Sequence, residues 1–206
     1  SGYKGLAGFI RFIERLEEQK ADLSSSNSLS EGANVVKVMS IHRSKGLEFP
    51  VCFLANCSRK FNKDVGEILL HPELGPSVKL LDRELMRKYT TFQRDAVKLD
   101  LDKRAMSEEL RVLYVAMTRA KEKLIMVSTL KNADSTLSRL GAQVTDDKAI
   151  SPFVVGAANS FSDWLLMCVL RHPSGVKLRE IAGVLPEVVV RDETPIHIDL
   201  VRPQEE

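Results

Sequence analysis

The sequence has little cysteine, no long apolar run and no excess of one charge. Its three cysteines, Cys52, Cys57 and Cys168, cannot all pair with one another, and none stand at CxxC spacing. That argues against a disulfide framework and a zinc ribbon and fits a reducing, cytoplasmic setting. No apolar stretch approaches the roughly 20 residues of a membrane helix. Thirty Lys+Arg against 28 Asp+Glu leave a net charge of +2. Bulk charge therefore neither demands nor excludes nucleic acid, and only a local basic surface could argue for it. The histidines show no metal-ligand spacing, so no metal site is expected. There is no GxxxxGK[ST] phosphate loop, no strand ending in paired acids, no signal-peptide core and no repeat at a period of 20–50 residues. The chain opens on Ser-Gly-Tyr-Lys without Met, which suggests a piece of a longer protein.

What is present is globular. In 206 residues, 44% are hydrophobic and 28% charged, enough for a core without staples. LAGFIRFIERLEEQ at 6–19 reads as an amphipathic helix, and SSSNSLSEG at 24–32 as a loop and boundary. VVKVMSIH at 35–42 and PVCFLANC at 50–57 read as strands buried on both faces, as in a parallel sheet. The turn 43–49 between them is too short for a parallel crossover, so they are either a hairpin or sheet neighbours. Pro72, Gly75 and Pro76 argue for loop over 66–82, and 83–106 reads as a solvated helix. Ser107 is the expected cap of a separate, largely buried helix, SEELRVLYVAMTRAKEK at 107–123. On it, Tyr114 and Met117 are expected in the core. LIMVST at 124–129 completes a helix-to-strand pattern typical of α/β layers. Beyond it, 162–172 and 176–185 read as helices, with Trp164 as a packing anchor. EVVVRD and IHIDLV could pair as a hairpin around Pro195.

Two segments are chemically unusual. In IHRSKGLEF, 41–49, two cations, a hydroxyl and a glycine stand at a strand edge. Side chains and backbone N–H groups there can reach a phosphate together. Glu48, repelled by phosphate, suits sugar hydroxyls better. In YVAMTRAKEKL, 114–124, Arg119 lies beside apolar flanks, which is costly unless it is paired. Its partner is either a carboxylate such as Glu48 or Glu122, or a ligand phosphate, which a planar guanidinium prefers.

In this order, VKVMSIHRSKGLEFPVCFL and EELRVLYVAMTRAKEKLIMV resemble motifs V and VI of the UvrD/PcrA-like superfamily 1 DNA helicases. Within that group SIHRSKGLEFP, with AANSFSDWLL at 157–166, is most similar to the AddA/RexA type of ATP-dependent helicase/nuclease. The likeness is strong over 35–57 and 107–129, moderate over 1–20 and 58–106, and weak after about 172. Ser40 and Arg43 depart mildly, standing where Thr and Lys are commoner.

The resemblance implies an α/β fold: a RecA-like second motor domain, 2A, with a parallel-sheet core flanked by helices. Residues 1–30 would end an inserted 2B-type domain, 31–130 would be the motor domain, and 131–206 a mostly helical extension toward an absent nuclease domain. It implies Arg119 as the catalytic arginine finger and Gly46 and Glu48 as further ATP contacts, Glu48 on the ribose. His42, Arg43, Ser44 and Lys45 would bind DNA. ATP and Mg2+ would act in the parent enzyme, with none expected bound to this chain. Partners would be single- and double-stranded DNA, the missing 1A motor domain and an AddB/RexB-type second subunit, with no membrane. Lacking the phosphate loop, the chain should be inactive alone. The rival reading is a catalytically silent helicase-like scaffold or DNA-binding module.

Overall fold

The computed structural model describes residues 35–62, 66–144, 149–183 and 194–201. The expected helix at 6–19, the loop at 24–32 and the first arm of the expected tail hairpin lie outside these residues. Close contacts divide the chain into two units, 1–38 and 39–206. Of the first, Val35–Val38 are described; they are irregular and exposed.

The second unit is α/β. Strand β1 (Phe49–Leu54) pairs in parallel with β6 (Ala120–Met126), in register from Val51↔Lys123 to Leu54↔Met126. The crossover between them carries two short antiparallel hairpins, β2 (Ile68–His71) with β3 (Gly75–Val78) and β4 (Leu80–Asp82) with β5 (Arg87–Tyr89). It then carries the long helix α1 (Phe92–Met117). A parallel pair needs such a crossover, which settles the question of the neighbours of β1. The partner of β1 is the strand after Arg119. The expected strand at 35–42 is not formed: 35–40 is irregular and His42–Ser44 is a 3₁₀ turn. Val36 is 94% exposed. Its β-branched residues favour a strand, but among the described residues no strand pairs with it, and propensity without a ladder does not make one.

Helix α1 joins two expected elements. Thr91 is the cap, its hydroxyl accepting from Arg94 N at 3.1 Å, and no Gly or Pro interrupts 92–117. Ser107 is not a cap; its hydroxyl donates back to Lys103 O at 2.9 Å, the usual mid-helix behaviour of Ser. Hairpin β2–β3 replaces the expected loop, turning at Gly75 with φ +76°. It is fastened to α1 by buried polar groups. Arg94 donates to Ser77 O at 3.2 Å and Gly66 O at 2.9 Å. His71 accepts the Glu73 and Leu74 amides on Nδ1, so its Nε2 carries the proton given to Asp100 at 2.8 Å. That bond and the Arg104 guanidinium hold the Asp100 carboxyl below its usual range.

The remaining helices are α2 (Ala133–Gly141), α3 (Pro152–Ala157), α4 (Phe161–Leu170) and α5 (Val176–Ala182). One core runs from Met106 and Leu113 of α1 through Leu137, Leu140, Met167 and Leu178. Trp164 anchors α4 as expected: it is buried, its Nε1 donates to Val155 O at 2.9 Å, and its ring lies 4.9 Å from that of Phe61. Residues 196–201 form no strand. No helix among the described residues is long and apolar enough to cross a membrane.

Candidate functional site

The two unusual segments meet where β1 begins and α1 ends. Helix α1 stops earlier than its sequence pattern predicts. The Thr118 hydroxyl turns back to Tyr114 O at 3.0 Å and Val115 O at 3.1 Å. Phe49 N then donates to Arg119 O at 2.9 Å, which draws the chain into β6 from Ala120. Arg119 thus sits in the turn between helix and strand, and Lys121 and Lys123 lie on the strand, not in a last helical turn.

The guanidinium is half-buried and held by oxygen atoms that carry no net charge. Nε donates to Val115 O at 2.9 Å, one terminal nitrogen to Leu47 O at 2.9 Å, and the other to the Thr118 hydroxyl at 3.0 Å. Neither carboxylate considered from the sequence pairs with it. Glu48 pairs with Lys121 at 3.2 Å, and among the described residues Arg119 has no ion pair. A guanidinium has five N–H donors. Three are used here, so two remain, with a full charge, for an anion.

Upstream, the loop is wound into a 3₁₀ turn. Ser44 is buried; its hydroxyl donates to Ile41 O at 2.7 Å, and its amide is bonded to Ser40 O and Ile41 O. Leu47 N returns to Ser44 O at 3.0 Å. Gly46, at φ +83°, has open space where a Cβ would stand. Its backbone conformation calls for glycine, and the space around it leaves the peptide open to approach. His42, Arg43, Lys45 and Glu48 are exposed. The structure therefore brings Gly46, Glu48 and Arg119 together through Leu47, sets His42, Arg43 and Lys45 on the preceding turn, and commits the Ser44 hydroxyl to the fold.

Charge concentrates here. Segments 42–48 and 119–123 carry five cations (Arg43, Lys45, Arg119, Lys121, Lys123) against Glu48 and Glu122. That local excess of three exceeds the +2 of the whole chain, and it is the local basic surface that the composition alone could not reveal. Among the described residues, no group of three His, Cys, Asp or Glu side chains gathers as a metal site would require.

The family model for the UvrD-like helicase C-terminal domain matches residues 5–131, a stretch that contains the whole of this site. The chain belongs to that family. It is 40% identical over 195 residues to the AddA-type subunit of the ATP-dependent helicase/nuclease of Clostridium botulinum, a match that covers 93% of this chain and 16% of that protein. To its namesake in Ruminiclostridium cellulolyticum it is 42% identical over 187 residues, 89% of this chain and 15% of the relative. To that of Bacillus cereus it is 36% identical over 205 residues, 98% and 16%. The chain thus spans about one sixth of the length of the curated relatives it matches.

Sequence reasoning missed three parts of this UvrD-like site: the carbonyls of Leu47 and Val115, and the Thr118 hydroxyl. The carbonyls have no residue-type signature. Thr118 could have been found, since a hydroxyl residue beside a functional arginine is a candidate for holding it.

Proposed function

We propose that this chain is the finger-bearing motor half, a RecA-like 2A domain, of an ATP-dependent DNA helicase/nuclease of the AddA type. The observation that carries the reading is Arg119: a guanidinium fixed by neutral oxygens, without a carboxylate, and with two donors left over. Such a group is preorganised for negative charge that develops during a reaction. On this reading a missing 1A domain holds ATP and Mg2+, and Arg119 donates to γ-phosphate oxygens as the terminal phosphoryl group leaves. The open peptide at Gly46 comes close to the nucleotide, and Glu48 accepts from the ribose hydroxyls. His42, Arg43 and Lys45 meet the DNA backbone without regard to sequence, so binding weakens with salt. Ser44 shapes the turn that presents them. Cleft closure on ATP would move the DNA-bound loop with the finger. The parent would act in double-strand-break repair with a second subunit, and this chain alone would be inactive.

The test is single-strand-DNA-stimulated ATPase of the full-length parent carrying Arg119→Ala. Turnover should fall by at least roughly 10²-fold with nucleotide affinity nearly kept, as for a group acting mainly in the transition state. Near-normal turnover would overturn the finger role and favour the silent-scaffold reading. Unfolding of the variant is checked by its melting temperature beside that of Arg119→Lys, which keeps the charge but loses the fork geometry.

A further inference from the structure

Residues 79–92 take no part in the site above, yet they gather surface features that a solvated loop does not need. Hairpin β4–β5 presents Leu85 and Met86 at its tip, and Tyr89 and Phe92 follow. All four are exposed, Met86 at 79% and Phe92 at 92%. The cations Lys79, Arg83, Arg87 and Lys88 alternate with them, against Asp82 and Glu84. Lys88 is tied to Glu67 at 2.6 Å. Asp82 lies opposite Arg87 in the strand pair, but its Oδ1 accepts the Glu84 and Leu85 amides at 2.9 and 3.0 Å. Among the described residues, neither Arg83 nor Arg87 has an ion pair.

The excursion is preformed. Asp82 caps its turn, and Met86 holds φ +47°, a left-handed conformation that costs a non-glycine residue energy and marks positions the fold determines. At its base Thr90 bonds Asp95, Thr91 caps α1, and Arg94 grips two carbonyls of the neighbouring hairpin.

We propose that the β4–β5 hairpin and the first turn of α1 form a second single-stranded nucleic-acid contact, with Met86, Tyr89 and Phe92 against bases and Arg83 and Arg87 on phosphates. The inference rests on the DNA-motor reading. Exposed rings beside unpaired cations are what sequence-independent strand binding uses, since every base offers a π-face and every linkage a charge. A protein partner is less well served, because the centres of protein interfaces are depleted in Lys and Glu, which here stand among the apolar residues.

The test uses the full-length parent and a labelled oligothymidylate. Arg83→Ala/Arg87→Ala should weaken binding several-fold and make the log–log salt dependence shallower by roughly 1.4, about 0.7 per phosphate released. Phe92→Ala, at a fully exposed position, should weaken binding by roughly tenfold. ATPase turnover at saturating DNA should be unchanged in both, because Arg119 is untouched. Wild-type affinity and salt slope in both variants would overturn the proposal. Unchanged DNA binding with loss of assembly onto the second subunit, read by size-exclusion chromatography, would overturn it in favour of a protein-docking surface. A wild-type parent that binds no oligothymidylate would instead defeat the DNA-motor reading beneath it. Reduced turnover confined to Arg119→Ala leaves the two claims separate.

Discussion

Single residues set the shape of the site through the backbone more than through charge. Gly46 is the clearest case. Its φ of +83° lies where a Cβ is costly, although nothing crowds the position. Gly46→Ala should therefore destabilise the chain by about 1–2 kcal/mol by conformation alone. Gly46→Asn should cost less, since Asn tolerates the left-handed region. Urea unfolding of the two variants checks this, and equal stability of Gly46→Ala and wild type would remove the backbone argument. Arg119 carries the complementary lesson. A half-buried arginine looks as though it needs a carboxylate. Three neutral oxygens satisfy it instead, and its charge stays available.

At the scale of elements, the helix from Phe92 to Met117 tests what sequence pattern can and cannot tell. Its start depends on one cap. Thr91→Ala should cost about 1 kcal/mol, whereas Ser107→Ala, in the middle of the helix, should change stability by less than about 0.5 kcal/mol. The reverse order in chemical denaturation would restore two separate helices. The strands after Phe49 and before Val127 were legible because both are short, apolar and bounded by polar turns. So were the helices around Trp164 and Leu178, where apolar spacing, Pro173 and Gly183 agree. The stretch 35–42 has the same composition as a buried strand, but strand formation requires a neighbour that composition does not supply. The hairpin at 68–78 was hidden by Pro72, Gly75 and Pro76, residues that mark turns and also suit a short edge strand. Tyr114 and Met117 lie on a helical stripe that reads as core; the structure leaves Tyr114 69% exposed. Periodicity identifies an apolar face and says nothing of what covers it. For the site, the residue types were legible, while the wiring through Leu47 and Val115 carbonyls was not.

At the scale of the whole molecule, the parallel pair is open on one face. Val51 and Phe53 alternate onto the same side of β1, and Phe53 is 70% exposed. Parallel sheets are ordinarily covered on both faces, and this chain is about one sixth of its relatives' length. On its own it should associate through that face. Sedimentation at micromolar concentrations should show species larger than one chain, and Phe53→Lys should shift them toward the monomer without lowering the melting temperature. A wild-type chain that stays monomeric would show that the face needs no cover.

The bond from Arg119 to the Leu47 carbonyl joins residues 72 apart in sequence, beside the return bond from Phe49 N to Arg119 O. Closing so long a loop carries an entropic cost that local structure does not share. Helix α1 can form early from near-neighbour contacts, while the seam between residues 47–49 and 119 must wait until the crossover has docked. During synthesis the finger therefore takes its place after the helix that ends beside it. In native-state hydrogen exchange, the Phe49 amide should report the opening of that long-range seam rather than the fraying of any single element.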